Sequence, residues 1–386
     1  MLQCCNNLLL LFLSLCLLSI HYQFDIQAIQ VQKQNETRQT IYLHIGPHKT
    51  GTTAVQSFVH INRRRLKDAN LCWPNEKKGK SFSELAKYIA NSSDIVDLPA
   101  VKDLIHRAEK CLQENKNVFI SAERFSLYNY EETEKVKALL LKISKNKEVK
   151  INIILTYREW FSWSISRYGE LIKKRGKVEN TNNVLDYMFY SGETFQTYYR
   201  ELVETWARVF GLGNIFVIDY YGIQADKADI IEVIFCEIMH AFCGELHKFQ
   251  QSPFTNEQLN PIYINYIFVF DNFLFAHGMK QCSLDLKYQE YYLNYLTSKQ
   301  MKFPTLSSTL EIFRSERIRL NAEMYKNFSQ LMLHANQSAN EVAISTHVYH
   351  KLDTKELFQE TKWQNFMQDE MNRLISDGKI CNISND

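Results

Sequence analysis

Four mostly apolar runs punctuate the first 222 residues: Ile41 to Ile45, Val118 to Ser121 in "NVFISAERFS", the run within "VKINIILTYRE" (149–159) and that within "NIFVIDYY" (214–221). Each is short, rich in β-branched residues and bounded by turn formers, which reads as a buried strand. Between them the apolar positions recur at helical spacing, from Thr50 to Val59, through "EETEKVKALLLKI" (131–143), from near Trp160, and through "TFQTYYRELVETWARVFG" (194–211). Strands alternating with helices predict an α/β fold, a parallel β-sheet flanked by helices on both faces. In such sheets ligands bind beyond the carboxyl ends of the strands. Beyond about residue 225 the pattern is mainly helical, without internal repeat or low-complexity linker, and reads as an extension (225–386) of one domain spanning 40–386.

The first strand runs into "GPHKTGTTAVQSF", which places Gly46 and Gly51 at a strand-to-helix turn in a chain with only 12 glycines. Unsatisfied N–H groups at a helix start bind anions, and glycine lets backbone approach closely. The nucleoside-triphosphate pattern G-x-x-x-x-G-K-[ST] is not met: Thr52 holds the lysine position and the lysine sits earlier, at Lys49. Lys49 still reaches a phosphate chain, and Thr50, Thr52 and Thr53 add hydroxyl donors. The bland alternative is a chance Gly/Thr-rich turn.

Composition adds bounds. At 45% hydrophobic and 23% charged the chain is ordinary for a globular protein, and a net charge of +2 gives no global argument for nucleic acid. Basic clusters at Arg63-Arg64-Arg65, Lys142 to Lys150 and Lys173-Lys174-Arg175 read as solvated faces, any of which could line the path of an acidic substrate. The N-terminus carries an apolar run from Leu8 to Ile20, short for a bilayer span, with no basic n-region or small-x-small cleavage site. It reads as a signal anchor (1–25) followed by a polar stem (26–39), with a cleaved signal peptide as the alternative. Either delivers the chain to the secretory pathway, and the expectation is a single-pass type II protein of the Golgi lumen. Sequons at Asn35, Asn91, Asn327, Asn336 and Asn382 fit that compartment.

Outside the N-terminal segment, which holds Cys4, Cys5 and Cys16, six cysteines remain: Cys72, Cys111, Cys236, Cys243, Cys282 and Cys381. They allow up to three disulfides. Cys236 and Cys243 fall in an apparent helix, "DIIEVIFCEIMHAFC", where their Cα atoms would stand about 10 Å apart, beyond disulfide reach. No metal site is expected: no C-x-x-C occurs, and His44 and His48 are split between strand and loop.

"TYREWFSWSISRYGE" supplies a second constellation. Arg158 ends a strand and Ser166 lies about two turns into the next helix, so both can face one phosphate beyond the sheet edge. With Lys49-Thr50-Gly51-Thr52-Thr53, this resembles the P-loop sulfotransferase superfamily, over about residues 41–222. The resemblance implies that the first motif binds the 5′-phosphosulfate of 3′-phosphoadenosine 5′-phosphosulfate, while Arg158 and Ser166 bind its 3′-phosphate. "SERIRLNAEMYKNF" is a weaker echo of the C-terminal part of some members. Transfer to an acceptor hydroxyl, most simply on a carbohydrate, then follows without a metal, and Lys49 stabilises charge on the bridging oxygen. Glu123 is the first choice of general base, at a place where some members carry a histidine. Glu76 and His48 are the alternatives, Glu76 lying where glycan sulfotransferases often carry a glutamate. A kinase or NTPase with an aberrant loop, and a non-catalytic glycan-binding protein of the same fold, are the competing readings. The first predicts a Walker-B-like acidic residue at a strand end, and the strand ending "LTYR" carries no Asp.

Overall fold

A computed structural model describes residues 39–74, 82–91, 99–145, 148–175, 199–249, 311–346, 353–378 and 380–382, with scattered positions between 263 and 303. The N-terminal apolar run, most of the stem, Asn35, Glu76 and Cys282 lie outside the described residues.

The chain runs β1 (Thr40–His44), α1 (Thr52–Asp68), β2 (Leu71–Cys72), α2 (Ser83–Asn91), α3 (Pro99–Gln113), β3 (Asn117–Ser121), α4 (Tyr130–Ser144), β4 (Lys150–Tyr157), α5 (Trp160–Arg175), α6 (199–210), β5 (Ile215–Asp219) and α7 (Tyr220–Ala225). Every predicted strand forms, within two residues of its expected ends. The pairs are parallel, with Ile41 beside Val118 and Ile151, and Ile153 beside Ile215. Ile41, Val118, Ile153 and Val217 have no exposed surface, as expected of strands covered on both faces. On α1, Val55, Phe58, Val59, Asn62 and Leu66 recur at helical spacing and are buried, while Arg63, Arg64 and Lys67 face water. Each enclosed Val, Leu or Phe stabilises the packing by about 1.5–3 kcal/mol.

The later chain does more than extend this sheet. α8 (Ile230–Glu232) continues into a π-helical turn, Val233–Ile238, and after β6 (Met279–Gln281) and α9 (Glu311–Phe328) comes β7 (Met332–Leu333). β7 pairs parallel with β5, completing a six-stranded sheet of order β2-β3-β1-β4-β5-β7. α10 (Gln337–Thr346) then locks on through Asp219, at the end of β5. The Asp219 carboxylate accepts from the Tyr325 hydroxyl, from Asn340 Nδ2 at 2.9 Å and from the Asn336 N–H at 2.9 Å. Arg317 of α9 forms a buried two-pronged pair with Glu159, both contacts at 3.0 Å, and lies over the Phe161 ring. A separate apolar cluster holds Tyr266, Phe270, Phe303, Leu357, Met367 and Leu374. It draws on α11 (Thr354–Gln359) and α12 (Thr361–Ser376) and includes residues of an antiparallel pair formed by β6 and β8 (Ile380–Asn382).

Two disulfides are present among the described residues. Cys72–Cys111 ties the end of β2 to α3. Cys236–Cys243 overturns the expectation from helical spacing: the two Cα atoms are 4.8 Å apart. The helix does not continue through the pair. It widens into the π turn, then reverses through His240 and Phe242, both at positive φ (52° and 64°). That reversal lets Phe235 and Phe242 pack together, each also against a further ring, Phe235 on Phe58 and Phe242 on Phe249.

Candidate active site

β1, β3 and β4 all end at the same edge of the sheet, and the chain leaving each carries one part of the site. After β1, Gly46 sits where a Cβ would lie 2.9 Å from Thr52 Cγ2 and 3.0 Å from His44 Nε2, so the loop closes directly over the buried His44. Burial holds that imidazole down at about 4, against the opposing charge of Glu123, so it is neutral near pH 7. Lys49 and Gly51 both have positive φ, 64° and 88°, and the double reversal aims the chain into α1.

The start of α1 differs from that of α4. α4 opens with a complete capping box, Asn129 and Glu132 exchanging side-chain to backbone bonds at 2.9 Å. α1 opens on Gly51, with no side-chain cap and no acidic residue in its first turn. First-turn amides and the positive end of the helix dipole therefore face the loop with no capping side chain of the helix's own. Two of the three threonine hydroxyls are already committed. Thr50 donates to the Pro47 carbonyl at 2.6 Å, and Thr52 donates to Glu123.

Glu123 begins the 3₁₀ turn after β3. One carboxylate oxygen takes the Thr52 hydroxyl, and the other lies 2.5 Å from His48 Nδ1. Burial pushes this carboxyl up, but the bond and charge of His48, with the Thr52 bond, outweigh that and hold it below the usual carboxylate value. With Nδ1 donating to an ionised carboxylate, a neutral His48 carries its lone pair on Nε2. The loop backbone is pinned from the other side, the Trp163 indole donating to the His48 carbonyl at 2.7 Å.

Arg158 follows β4 directly and is buried, 6% exposed. Its Nη1 donates to the Lys49 carbonyl at 2.9 Å, its Nε donates to Ser162 at 2.9 Å, and its guanidinium lies over the Tyr220 ring. The two sequence motifs are thus bonded to each other. The serine in contact with Arg158 is Ser162; Ser166 stands one turn further along α5 and is half-buried, and Thr53 is half-buried at the start of α1. Sequence reasoning missed Ser162, Trp163 and Glu170, although the first two lie inside "EWFSWS". The Glu170 carboxylate takes Arg167 at 3.0 Å and has Lys49 Nζ at 3.8 Å. Lys49, Glu123, His48, Thr52 and Arg158 therefore form one connected group. It can hold an anion by backbone amides and fixed cations, and move a proton at His48 Nε2. Among the described residues no cluster of His, Cys, Asp and Glu is arranged to hold a metal ion.

Residues 40–268 match the family model of the sulfotransferase domain, which covers more than half the chain. No curated protein matches it. Among solved structures the chain is similar to a sulfotransferase from Alicyclobacillus acidocaldarius, at 13% identity over 68% of this chain and 96% of that one, TM-score 0.32. It is also similar to a sulfotransferase domain from the curacin biosynthetic pathway, at 13% identity over 74% and 97%, TM-score 0.31.

Proposed function

The chain belongs to the sulfotransferase domain family and is a sulfotransferase, and from that premise we propose that it moves a sulfuryl group from 3′-phosphoadenosine 5′-phosphosulfate to a carbohydrate hydroxyl. The observation that carries this reading is the convergence at one sheet edge of an uncapped helix start, Lys49, buried Arg158 and the His48–Glu123 pair. Lys49 and the amides of Gly51, Thr52 and Thr53, with the Thr50 turn beneath them, hold the phosphosulfate. Arg158 and Ser166 hold the 3′-phosphate. The fit rests on the close Gly46 approach, which leaves room for backbone alone, and on the absence of a capping side chain.

The donor supplies an activated sulfur with a good leaving group. His48 Nε2 takes the proton of the acceptor hydroxyl as its oxygen bonds to sulfur. The Lys49 ammonium meets the charge that grows on the bridging oxygen as adenosine 3′,5′-bisphosphate leaves. Glu123 fixes the imidazole tautomer and stabilises the imidazolium. Both Glu123 oxygens are already engaged, which supports the pair as base over the carboxylate alone. Glu76 lies outside the described residues.

A lumenal, Golgi-type location supports the carbohydrate choice. Its grounds are the two disulfides and the sequons at Asn91 and Asn327, both exposed. Asn336 is a poorer acceptor, because its side-chain oxygen receives the Ala339 N–H. The N-terminal run that would anchor the chain lies outside the described residues, and none of their helices is long and apolar enough to cross a membrane.

Labelled donor with a panel of glycans and tyrosine peptides tests the reading. Transfer to glycans is expected, and labelling of peptide tyrosine alone would overturn the acceptor class. Arg158→Ala should weaken adenosine 3′,5′-bisphosphate binding by about 2–5 kcal/mol, the cost of breaking a buried charge-assisted phosphate pair. Unchanged affinity in calorimetry would remove Arg158 from the donor site.

A further inference from the structure

We propose that the basic cleft between α1, α3 and β2 binds the sulfated or carboxylated part of an anionic glycan acceptor, away from the hydroxyl that reacts. This rests on the carbohydrate reading above and narrows it to polyanionic chains.

The cleft has a volume of about 420 Å³ and is walled by Arg63, Arg64 and Lys67 of α1 and by Arg107 and Lys110 of α3. Glu114 is the one carboxylate in its lining, offset by Lys116 at 2.7 Å and Lys67 at 3.8 Å, while Arg107 is itself paired with Asp103 at 2.9 Å, which leaves Arg63, Arg64 and Lys110 as the main source of the charge. The chain as a whole carries only +2, so this is a local concentration of positive charge. Arg63 and Arg64 also line an adjoining recess with His60, Asn62 and Arg65. The two recesses thus share a basic wall, which suits an extended ligand better than a single small anion.

The floor is built rather than incidental. It is formed by the Cys72–Cys111 disulfide and Trp73, whose indole N–H is buried with no partner among the described residues. Guanidinium forks grip carboxylate and sulfate oxygens in pairs. Trp73 is 7% exposed and packed against Phe82 and Phe119, at ring separations of 4.9 and 5.9 Å, so it offers no open face for stacking. Single-stranded nucleic acid depends on stacking platforms of that kind. The chemistry therefore favours a sulfated glycan.

Position explains how the cleft would serve the reaction. Arg63 and Lys67 lie 11 and 15 residues beyond Thr52, about 17 and 22 Å along the helix axis at 1.5 Å per residue. A group held there cannot be the reacting one. The cleft lies by β2, which pairs with Asn117 and Val118 at the start of β3, whereas Glu123 follows the end of that strand, so only an extended chain can engage both.

The test uses the full chain and a labelled heparin octasaccharide, with binding followed by fluorescence anisotropy. Arg63→Glu/Arg64→Glu/Lys67→Glu should lose at least tenfold in affinity, and the milder Arg63→Ala/Arg64→Ala should lose less. A control reversal at exposed sites elsewhere, Lys326→Glu/Lys355→Glu, should bind like the parent. The proposal falls if the triple variant binds normally, or if an oligonucleotide of equal charge binds the parent as tightly as the octasaccharide. The two readings separate cleanly. Loss of binding in the triple variant of a protein that sulfates no glycan sinks the function and keeps the cleft, whereas glycan sulfation with normal binding by the triple variant sinks the cleft alone.

Discussion

At its first turn α1 meets Lys49 and His48, and every charged group there is bonded: Glu123 to His48 and Thr52, Arg158 to the Lys49 carbonyl, Glu170 to Arg167. Near its last turn Arg63, Arg64 and Lys67 are exposed; among the described residues Arg65 is tied to the Lys248 carbonyl, and Lys67 makes a loose pair with Glu114 at 3.8 Å. The helix dipole favours an anion at the first end and is itself satisfied by cations at the second. Charges fixed by bonds in a partly enclosed site keep more of their effect and can stabilise a transition state. Exposed charges are screened by salt and give adjustable affinity instead. One helix thus separates the chemistry from the grip on the substrate.

The contrast can be broken most severely at the first end. Glu123→Gln and His48→Ala should each lower turnover by about 10²–10⁴, with adenosine 3′,5′-bisphosphate affinity retained in calorimetry. If they act as a unit, the double variant is about as slow as the slower single; independent losses that multiply would dissolve the pair. Because the Glu123 carboxyl sits below its ordinary value when folded, its bonds contribute stability above the unfolded carboxyl's range. That contribution is lost as pH falls through the lower folded value. Glu123→Gln should therefore flatten the acid end of a plot of Tm against pH.

Beneath the second end, Cys72→Ser should cost about 4 kcal/mol in denaturant unfolding, against about 2.4 for Cys236→Ser, from chain entropy for separations of 39 and 7 residues. Equal losses would mean that the longer loop is already ordered when unfolded. Gly51→Ala should cost about 1–2 kcal/mol, since the added methyl enters a left-handed conformation 2.9 Å from the Ile230 side chain. Arg63→Ala/Arg64→Ala should leave unfolding free energy within about 0.5 kcal/mol of the parent, and a larger loss would make those arginines structural.

The same contrast shows what the sequence could carry. β1, β3, β4 and β5 were legible because each is an apolar run between turn formers, and the glycines around Lys49 marked the anion loop. β2 and β7 were not, being two residues each and held by register and by the bonds at Asp219. The Cys236–Cys243 bond was misread because His240 and Phe242, unlike glycine, give no sign of positive φ. His48 and Glu123 were separately visible as candidates, yet their contact exists only because β1 and β3 are neighbours, and strand order is not written in periodicity. Glu170 escaped for the same reason, meeting Lys49 only where α5 passes the loop.

Both outer borders of the main sheet end in two-residue strands. β2 covers Asn117 and Val118 of β3, β7 covers Val217 and Ile218 of β5, and the Ser121 carbonyl at the far end of β3 is taken by the Phe82 N–H. A long flat border is a template on which a second copy can add strands, and short or covered ones remove it. In concentrated solution, clumping of this protein should therefore wait for unfolding instead of growing from the native sheet, and turbidity on heating should follow the loss of structure.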